Sequence, residues 1–453
     1  MSNIQALEEK IKTMSVLVSR AQLLSKLGTQ FGGNRDLYKE LGYPNTVEYD
    51  DCFLRYRRQD IANAVINRPV TATWRGDIVL VEVDDDKETP FEQKWIELYK
   101  RLRLKKVFSR LDRLSHIGRY GVLLFGFNDV QKQEDFAKPV SSSVSDLLYV
   151  KPLGEKSAKI ANWDINPNSE RYGLPEYYDI TISEKTGHVF TIRVHHSRVL
   201  HVVDAELESE VEGEPELAPI LNRLYDLEKL VGGSAEMFWR GARPGYHGKV
   251  DPEFKVTEDT ERDLQAQIDE FEHNLRRFLI SEGIDIQALA QQIADPTMHV
   301  DIQLQMISAT TGIPKRILTG SERGELASTQ DRENWEGHIA SRREEFAEPC
   351  IVKPFVDKLI ELKILPKPKV QYSIDWPTLA TMSEKEQAEV AQTKSAALRN
   401  YTSSPSNMDI LPPDMFFKLV MNMSDDEIEL INQYRDAQIM EEDEDFIDVA
   451  DVE

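Results

Sequence analysis

Residues 307–335 read ISATTGIPKRILTGSERGELASTQDRENW. A helical pattern from about Met298 runs into this stretch and stops at Thr311. Gly312, Gly320 and Gly324 then break the periodicity and permit backbone excursions that other residues resist. Between the glycines the chain is polar and charged, with Lys315, Arg316, Ser321, Glu322, Arg323, Glu325 and Thr329. A loop is therefore expected over 312–328. From about Thr329 to Leu362 the helical period returns, with Trp335, Ile339, Phe346, Phe355 and Leu359 on one face. Pro349 and Pro354 fall inside that helix and predict a kink or break.

Upstream, Leu217 to Phe238 keeps Leu217, Ile220, Leu221, Leu224, Leu227 and Val231 on one broad face, so a second strong helix is expected there. GARPG (241–245) ends it. A small strand–helix–strand unit follows: YHGKV, a helix from Thr257 to Leu275, and RRFLISEGIDIQAL. The order is helix, small α/β insert, helix, polar loop, long kinked helix.

Nearer the amino end, residues 1–27 have an amphipathic helical pattern and 28–34 form a Gly-rich connection. A helix with Phe53, Tyr56, Ile61 and Val65 on its face is expected to stop before Pro69. Two helices are expected over Pro90 to Tyr120, then a buried strand at VLLFGF (122–127). Residues 146–204 alternate apolar and polar side chains, with Gly, Pro and Asn at the breaks, as strands do. Thr181 to Arg193 reads as a hairpin turning at Lys185-Thr186-Gly187. In ELESEVEGEPE, Glu occupies alternate positions from 206 to 216, which predicts a solvated, extended loop closing the first domain. Lys369 to Trp376 reads as a strand, and Ser383 to Asn400 and Pro413 to Gln433 as helices. The acidic stretch 441–453 reads as disordered.

The 453 residues suffice for two or three packing units, and 40% apolar content is enough for real cores. The balance of 55 basic and 79 acidic side chains, −24, argues against wrapping nucleic acid by wholesale phosphate neutralisation. Cys52 and Cys350 are far apart and in no metal-type spacing, so neither a disulfide framework nor a metal site is expected. The amino-terminal residues lack a signal-peptide apolar core, and the longest apolar run is far below the ~20 residues that span a bilayer. No phosphate-binding G-x-x-x-x-G-K-[ST] and no H-E-x-x-H occurs. His195-His196 is the one close histidine pair; placed in a strand, the two rings point to opposite faces, poor geometry for a shared metal.

The ordered elements of 217–363 resemble the core of phage portal proteins. AEMFWRGARPG (235–245) looks like a first stem helix entering a clip, and residues 307–335 like the passage from the second stem helix through a tunnel loop into a bent helix. RDLYKELGYP and YRRQDIANAVINRPVTATW are similar to a subfamily of these proteins, and the resemblance covers roughly residues 35–400. It implies an α+β, mainly helical portal fold, with wing, stem, clip and crown regions, in a ring oligomer. Along this chain that means an arm at 1–34, the wing at 35–216, stem helices at 217–241 and 291–312, and the clip at 242–290. The tunnel loop is then 313–328, the kinked tunnel helix and return to the wing 329–378, the crown 379–440, and an acidic tail 441–453.

The resemblance further implies a virion protein, assembled in the host cytoplasm as a dodecameric channel at one capsid vertex. Double-stranded DNA would pass through it non-specifically. Expected partners are the large terminase, major capsid and scaffolding proteins, and tail adaptors, with no membrane, cofactor, metal or enzymatic activity. Lys315, Arg316, Ser321, Glu322, Arg323, Glu325 and Thr329 would line the channel; Lys249, Asp251, Glu253 and Lys255 would meet terminase or adaptors at the clip. Two other readings are a phosphodiesterase or nuclease with a site near His195/His196, and a scaffold or adaptor protein that assembles without a channel.

Overall fold

The computed structural model describes residues 37–82, 88–183, 189–204, 207–241, 245–251, 257–272, 284–289, 295–320, 325–379, 384–403, 411–421, 423, 428–432 and 434. The expected helix at 1–27, the connection at 28–34, the hairpin turn at 185–187 and the acidic stretch at 441–453 lie outside these. The chain divides into two compact units, Met1–Leu379 and Ala380–Glu453.

The first unit opens with α1 (Leu37–Leu41), α2 (Tyr49–Arg58), α3 (Asp60–Thr73) and the short β1 (Val79–Val81). Pro69 lies inside α3 and does not end it. Val65, Ile66, Val70 and Thr73, on both sides of the proline, are buried, and that packing outweighs one missing N–H. Next come α4 (Pro90–Leu102) and α5 (Leu104–Ile117). Thr89 and Glu92 form a reciprocal capping box around Pro90, so the sequence TPFE fixes where α4 starts.

The strand β2 (Gly121–Phe127) is buried throughout. It pairs antiparallel with β3 (Leu147–Gly154) on one side, and on the other with a strand at Val199–Val202. Leu123, Phe125 and Phe127 join Trp95, Phe108 and Phe355 in the largest core. Val122 and Leu124 face the other way, into a core with Tyr178, Ile180, Ile192 and Val194. Those come from a second antiparallel sheet, β4 (Ala158–Trp163), β5 (Pro175–Ser183) and β6 (Val189–His195). An apolar run without alternation is what a strand covered on both faces requires. The Val199–Val202 strand is β7.

Residues 207–217 form no strand and bend repeatedly, with the Val211 and Glu212 N–H groups donating to the Ser209 hydroxyl, and the segment is half docked rather than fully solvated. Val211, Pro215 and Leu217 are buried, while Glu208, Glu210 and Glu214 face out. The Gly213 N–H donates to the Arg119 carbonyl at 2.9 Å and the Glu216 N–H to the His116 carbonyl at 3.0 Å.

A long α6 (Leu221–Gly241) follows, then β8 (Gly245–Val250), α7 (Glu258–Glu272) and β9 (Ile284–Leu289), with β8 and β9 paired antiparallel. The chain returns as α8 (Thr297–Thr311), packed against α6, then α9 (Lys315–Thr319) and α10 (Glu325–Arg342). The kink expected at the prolines is a π-helical segment, Arg343–Val352, carrying Pro349, and it runs directly into α11 (Lys353–Glu361) with Pro354 in its first turn. The Lys353 N–H bonds the Glu348 carbonyl, five residues back. The wider turn keeps the Pro349 ring clear of the preceding carbonyls, so the rod passes the proline without breaking. Strand β10 (Ser373–Asp375) then pairs with β1.

In the second unit α12 (Glu384–Thr402) and α13 (Pro413–Leu419) meet around Tyr401, Phe416 and Met421. The Tyr401 and Phe416 rings stack with centroids 3.9 Å apart. The helix expected to run on to Gln433 stops at Leu419; residues 428–432 are helical again.

Candidate functional site

The turn that joins α8 to α10 is built from its glycines and prolines. Gly312 ends α8 with φ +66°, a left-handed conformation that penalises any Cβ. Pro314, fixed in φ, precedes α9, and Gly320 ends it with φ +98°. Ile313 and Leu318 anchor the turn in a core with Ala62, Val65 and Ile66 of α3, Ile220 just before α6, Leu224 on α6, and Ile307 of α8. The Ser308 hydroxyl donates to the Ile313 carbonyl at 2.6 Å.

The stretch expected as one loop from 313 to 328 thus contains a helical turn, and α10 already begins at Glu325. Buried Ile313 and Leu318 explain the difference: an apolar pair five residues apart holds the turn against α3. Lys315 pairs with Asp301 on α8, and Arg316 approaches Asp331 on α10 at 3.7 Å. Two of the three expected channel cations are therefore tied to neighbouring helices. Ser321, Glu322 and Arg323 lie outside the described residues, and Glu325 and Thr329 are placed by backbone only. On the insert, Lys249 and Asp251 are exposed at the end of β8, and Glu253 and Lys255 lie outside the described residues.

Behind this turn, a buried ionic network fastens the long helix to α3 and α5. Arg342 donates to both oxygens of Asp112, at 3.0 and 2.5 Å, and to the Thr73 hydroxyl at 2.8 Å. Trp74 donates its indole N–H to Asp112 at 2.5 Å. His116 lies between Asp112, 3.1 Å away, and Asp204, 2.8 Å away. Burial opposes the charged imidazole, but hydrogen bonds to Asp112 and Asp204 outweigh it and push His116 up to about 10. Burial likewise opposes the Asp112 carboxylate, and Arg342 and His116 more than offset it, holding the group well below its usual range. The arrangement is a fully partnered clasp. Sequence reasoning passed over it, since its members are 230 and 88 residues apart.

Beside the turn, α3 and α9 border an open groove of about 1290 Å³ that ends at Trp335. Five arginines and one aspartate line it, among them Arg68, Arg75 and Arg316. The sequence held a signal for this basic surface: residues 56–75, YRRQDIANAVINRPVTATWR, carry four of the five arginines and one acid in a chain of net charge −24.

The histidine pair sits differently from its sequence expectation. His195 ends β6 and His196 opens a short 3₁₀ turn, so their rings lie on the same side, centroids 4.2 Å apart. The departure from strand geometry at His196 removes the alternation. Both are pushed down by burial, His196 to about 4, which leaves them neutral near pH 7. His195 Nδ1 is 2.9 Å from the Ser197 hydroxyl. Among the described residues no three His, Cys, Asp or Glu side chains come together as a metal site would need, and no helix is long and apolar enough to cross a membrane.

The described residues place two rods around a small α/β insert, followed by a tight turn and a long helix clasped to a mixed domain. Residues 54–400 match the family described as phage portal protein, and the chain belongs to that family. The family is structural and non-enzymatic. No curated protein matches the chain significantly. Among solved structures, a chain in the virion of a native gene transfer agent particle is 13% identical, with 82% of this chain and 93% of that one covered and a TM-score of 0.47. A chain from the neck of that native particle, computed with C12 symmetry, is 13% identical, with 77% and 89% covered and a TM-score of 0.47. An HK97-family phage portal protein from Corynebacterium diphtheriae is 9% identical, with 71% and 93% covered and a TM-score of 0.34.

Proposed function

We propose that this chain is the repeating subunit of a dodecameric portal ring at one capsid vertex, through which double-stranded DNA enters and leaves the head. Besides family membership, the observation that carries this reading is an uncovered apolar surface on the paired rods. The first half of α6 buries Leu221, Leu224 and Leu227. Its second half exposes Val231, Phe238 and Trp239, the last 73% exposed. On α8, Met298, Ile302 and Met306 are exposed as well. Neighbouring copies around an axis would cover these exposed side chains.

In this reading the ring hydrolyses nothing. Its acidic surface repels DNA over about a Debye length, ~8 Å at physiological salt, so the duplex slides without settling. The turn carrying Lys315 and Arg316, with Ser321, Glu322, Arg323, Glu325 and Thr329 beyond it, forms the constriction and makes brief phosphate contacts. The 242–290 insert is the clip, where the large terminase docks and tail adaptors later replace it; Lys249, Asp251, Glu253 and Lys255 are its contacts. The 379–440 region is the crown facing the capsid interior, where the scaffolding and major capsid proteins meet the vertex.

Negative-stain images of the purified chain test the proposal: rings with a central hole are expected. Compact particles would point to the histidine-site enzyme, and fibres to a scaffold without a channel. Charge reversal at Arg323 that leaves packaging and DNA retention unchanged removes the constriction assignment.

A further inference from the structure

Charge on this acidic chain is segregated. The groove beside α3 adjoins a second depression of about 770 Å³ over α4 and α5, lined by six Lys or Arg side chains and one aspartate. Thr71 borders both, and Arg113 on α5 donates to Asn67 on α3 at 2.6 Å, so the two form one continuous basic face. On it, Arg68, Arg75, Lys106 and Arg110 are exposed and have no acidic partner among the described residues.

The floor of the second depression is apolar, formed by Ile78, Trp95 and Ile96. A phosphodiester backbone gains nothing from such a floor. A protein segment that mixes carboxylates with an apolar side chain matches both the rim and the floor. This chain presents one. Leu207 is 89% exposed, and Glu208, Glu210 and Glu214 are exposed on the segment that follows it. Val211, Pro215 and Leu217 pin that segment from beneath, so it is a fixed edge. Lys106 and Arg110 stand one turn apart on α5.

We propose that the basic face over α3 and α5 of one copy grips the Leu207–Glu214 edge of the next copy. The inference rests on the ring reading above. A closed ring needs two different, complementary faces on every subunit, and these two satisfy that requirement by charge.

Charge swapping tests it. One variant carries Lys106→Glu with Arg110→Glu, and another carries Glu208→Lys with Glu210→Lys. All four positions are exposed, so the fold is expected to survive, as circular dichroism would report. By sedimentation velocity each variant alone is expected to lose the ring species. An equal mixture of the two regains it, since every contact in an alternating ring is again complementary. Wild-type rings should also weaken as ionic strength rises from about 0.1 to about 1 M, where the Debye length falls from ~10 to ~3 Å. Rings that survive both reversals, or fail to return on mixing, overturn this interface and leave the portal reading intact. A wild-type chain that never leaves the monomer overturns both. If the Lys106/Arg110 variant assembles normally yet loses a gel shift with a 30-base-pair duplex that the wild type gives, the face belongs to nucleic acid and the interface is wrong.

Discussion

Arg342, in the last turn of α10, donates to both carboxylate oxygens of Asp112 on α5, at 3.0 and 2.5 Å. Asp112 is wholly buried and Arg342 nearly so. This pair crosses 230 residues of sequence and fixes the long helix at the point where it turns π-helical. An ionic pair so placed adds little net stability over an apolar pair of equal shape, yet removing one partner strands a buried charge. Arg342→Ala is therefore expected to lower unfolding free energy by about 3–5 kcal/mol. The double variant with Asp112→Ala should lose less than the sum of the two single changes. Urea denaturation of the three variants measures both.

The same clasp sets a pH dependence. His116 is raised in the folded chain to about 10 from an ordinary value of 6.5. Its contribution is fully present below about 6.5 and is lost as pH rises through about 10. Asp112 is depressed, so its contribution is present above ~3.9 and is lost as pH falls through its folded value. Stability is expected to peak between those limits and to decline steadily from neutral to alkaline pH. In His116→Gln the alkaline decline should flatten, and a variant whose denaturation midpoint still falls as steeply as the wild type's would show that the slope arises elsewhere.

How much of this was legible in the sequence depended on whether local pattern or distant packing decided the outcome. The strand at 122–127, the paired helices before it, the 181–193 hairpin arms and the two rods follow from periodicity, because each buries a regular face. Pro69 misled, since it sits in a helix held from both sides by core residues, and proline rules weigh only the local hydrogen bond; Pro349 lies where the helix was expected to depart from regular geometry, in the π-helical segment. The polar loop at 312–328 misled for the opposite reason: Ile313 and Leu318 are too few to show a period, yet their burial folds the turn. The clasp of Asp112, His116, Asp204 and Arg342 carries no spacing signal, because three separate elements meet there.

The turn after α8 depends on Gly312, whose φ is +66°. An alanine Cβ there would meet only the His338 ring at 3.5 Å, so backbone strain alone is expected, about 1–2 kcal/mol. Gly76 provides the contrast. Its φ is +84° and a Cβ would run into the Pro377 ring. Gly76→Ala should therefore cost more than Gly312→Ala, and it should loosen the β1–β10 pairing that Pro377 follows. Thermal unfolding ranks the two; equal losses would mean that the turn at Gly312 is held by more than its own conformation.

Trp239 tests the rods. It stands near the end of α6, 73% exposed, with Phe238 beside it at 54%. Exposed positions outside any core tolerate substitution within about 0.5 kcal/mol, so Trp239→Ser should leave the unfolding midpoint of the unassembled chain unchanged. Burying an aromatic side chain of this size against a neighbour contributes on the order of 2 kcal/mol per contact, repeated at every interface of a closed ring. The ring fraction at fixed protein concentration is then expected to fall sharply in Trp239→Ser while the fold persists. Native mass spectrometry reads the ring fraction and calorimetry the fold. A variant that assembles as the wild type does would place the subunit contact away from this end of α6 and remove the uncovered apolar surface as a reason for the ring.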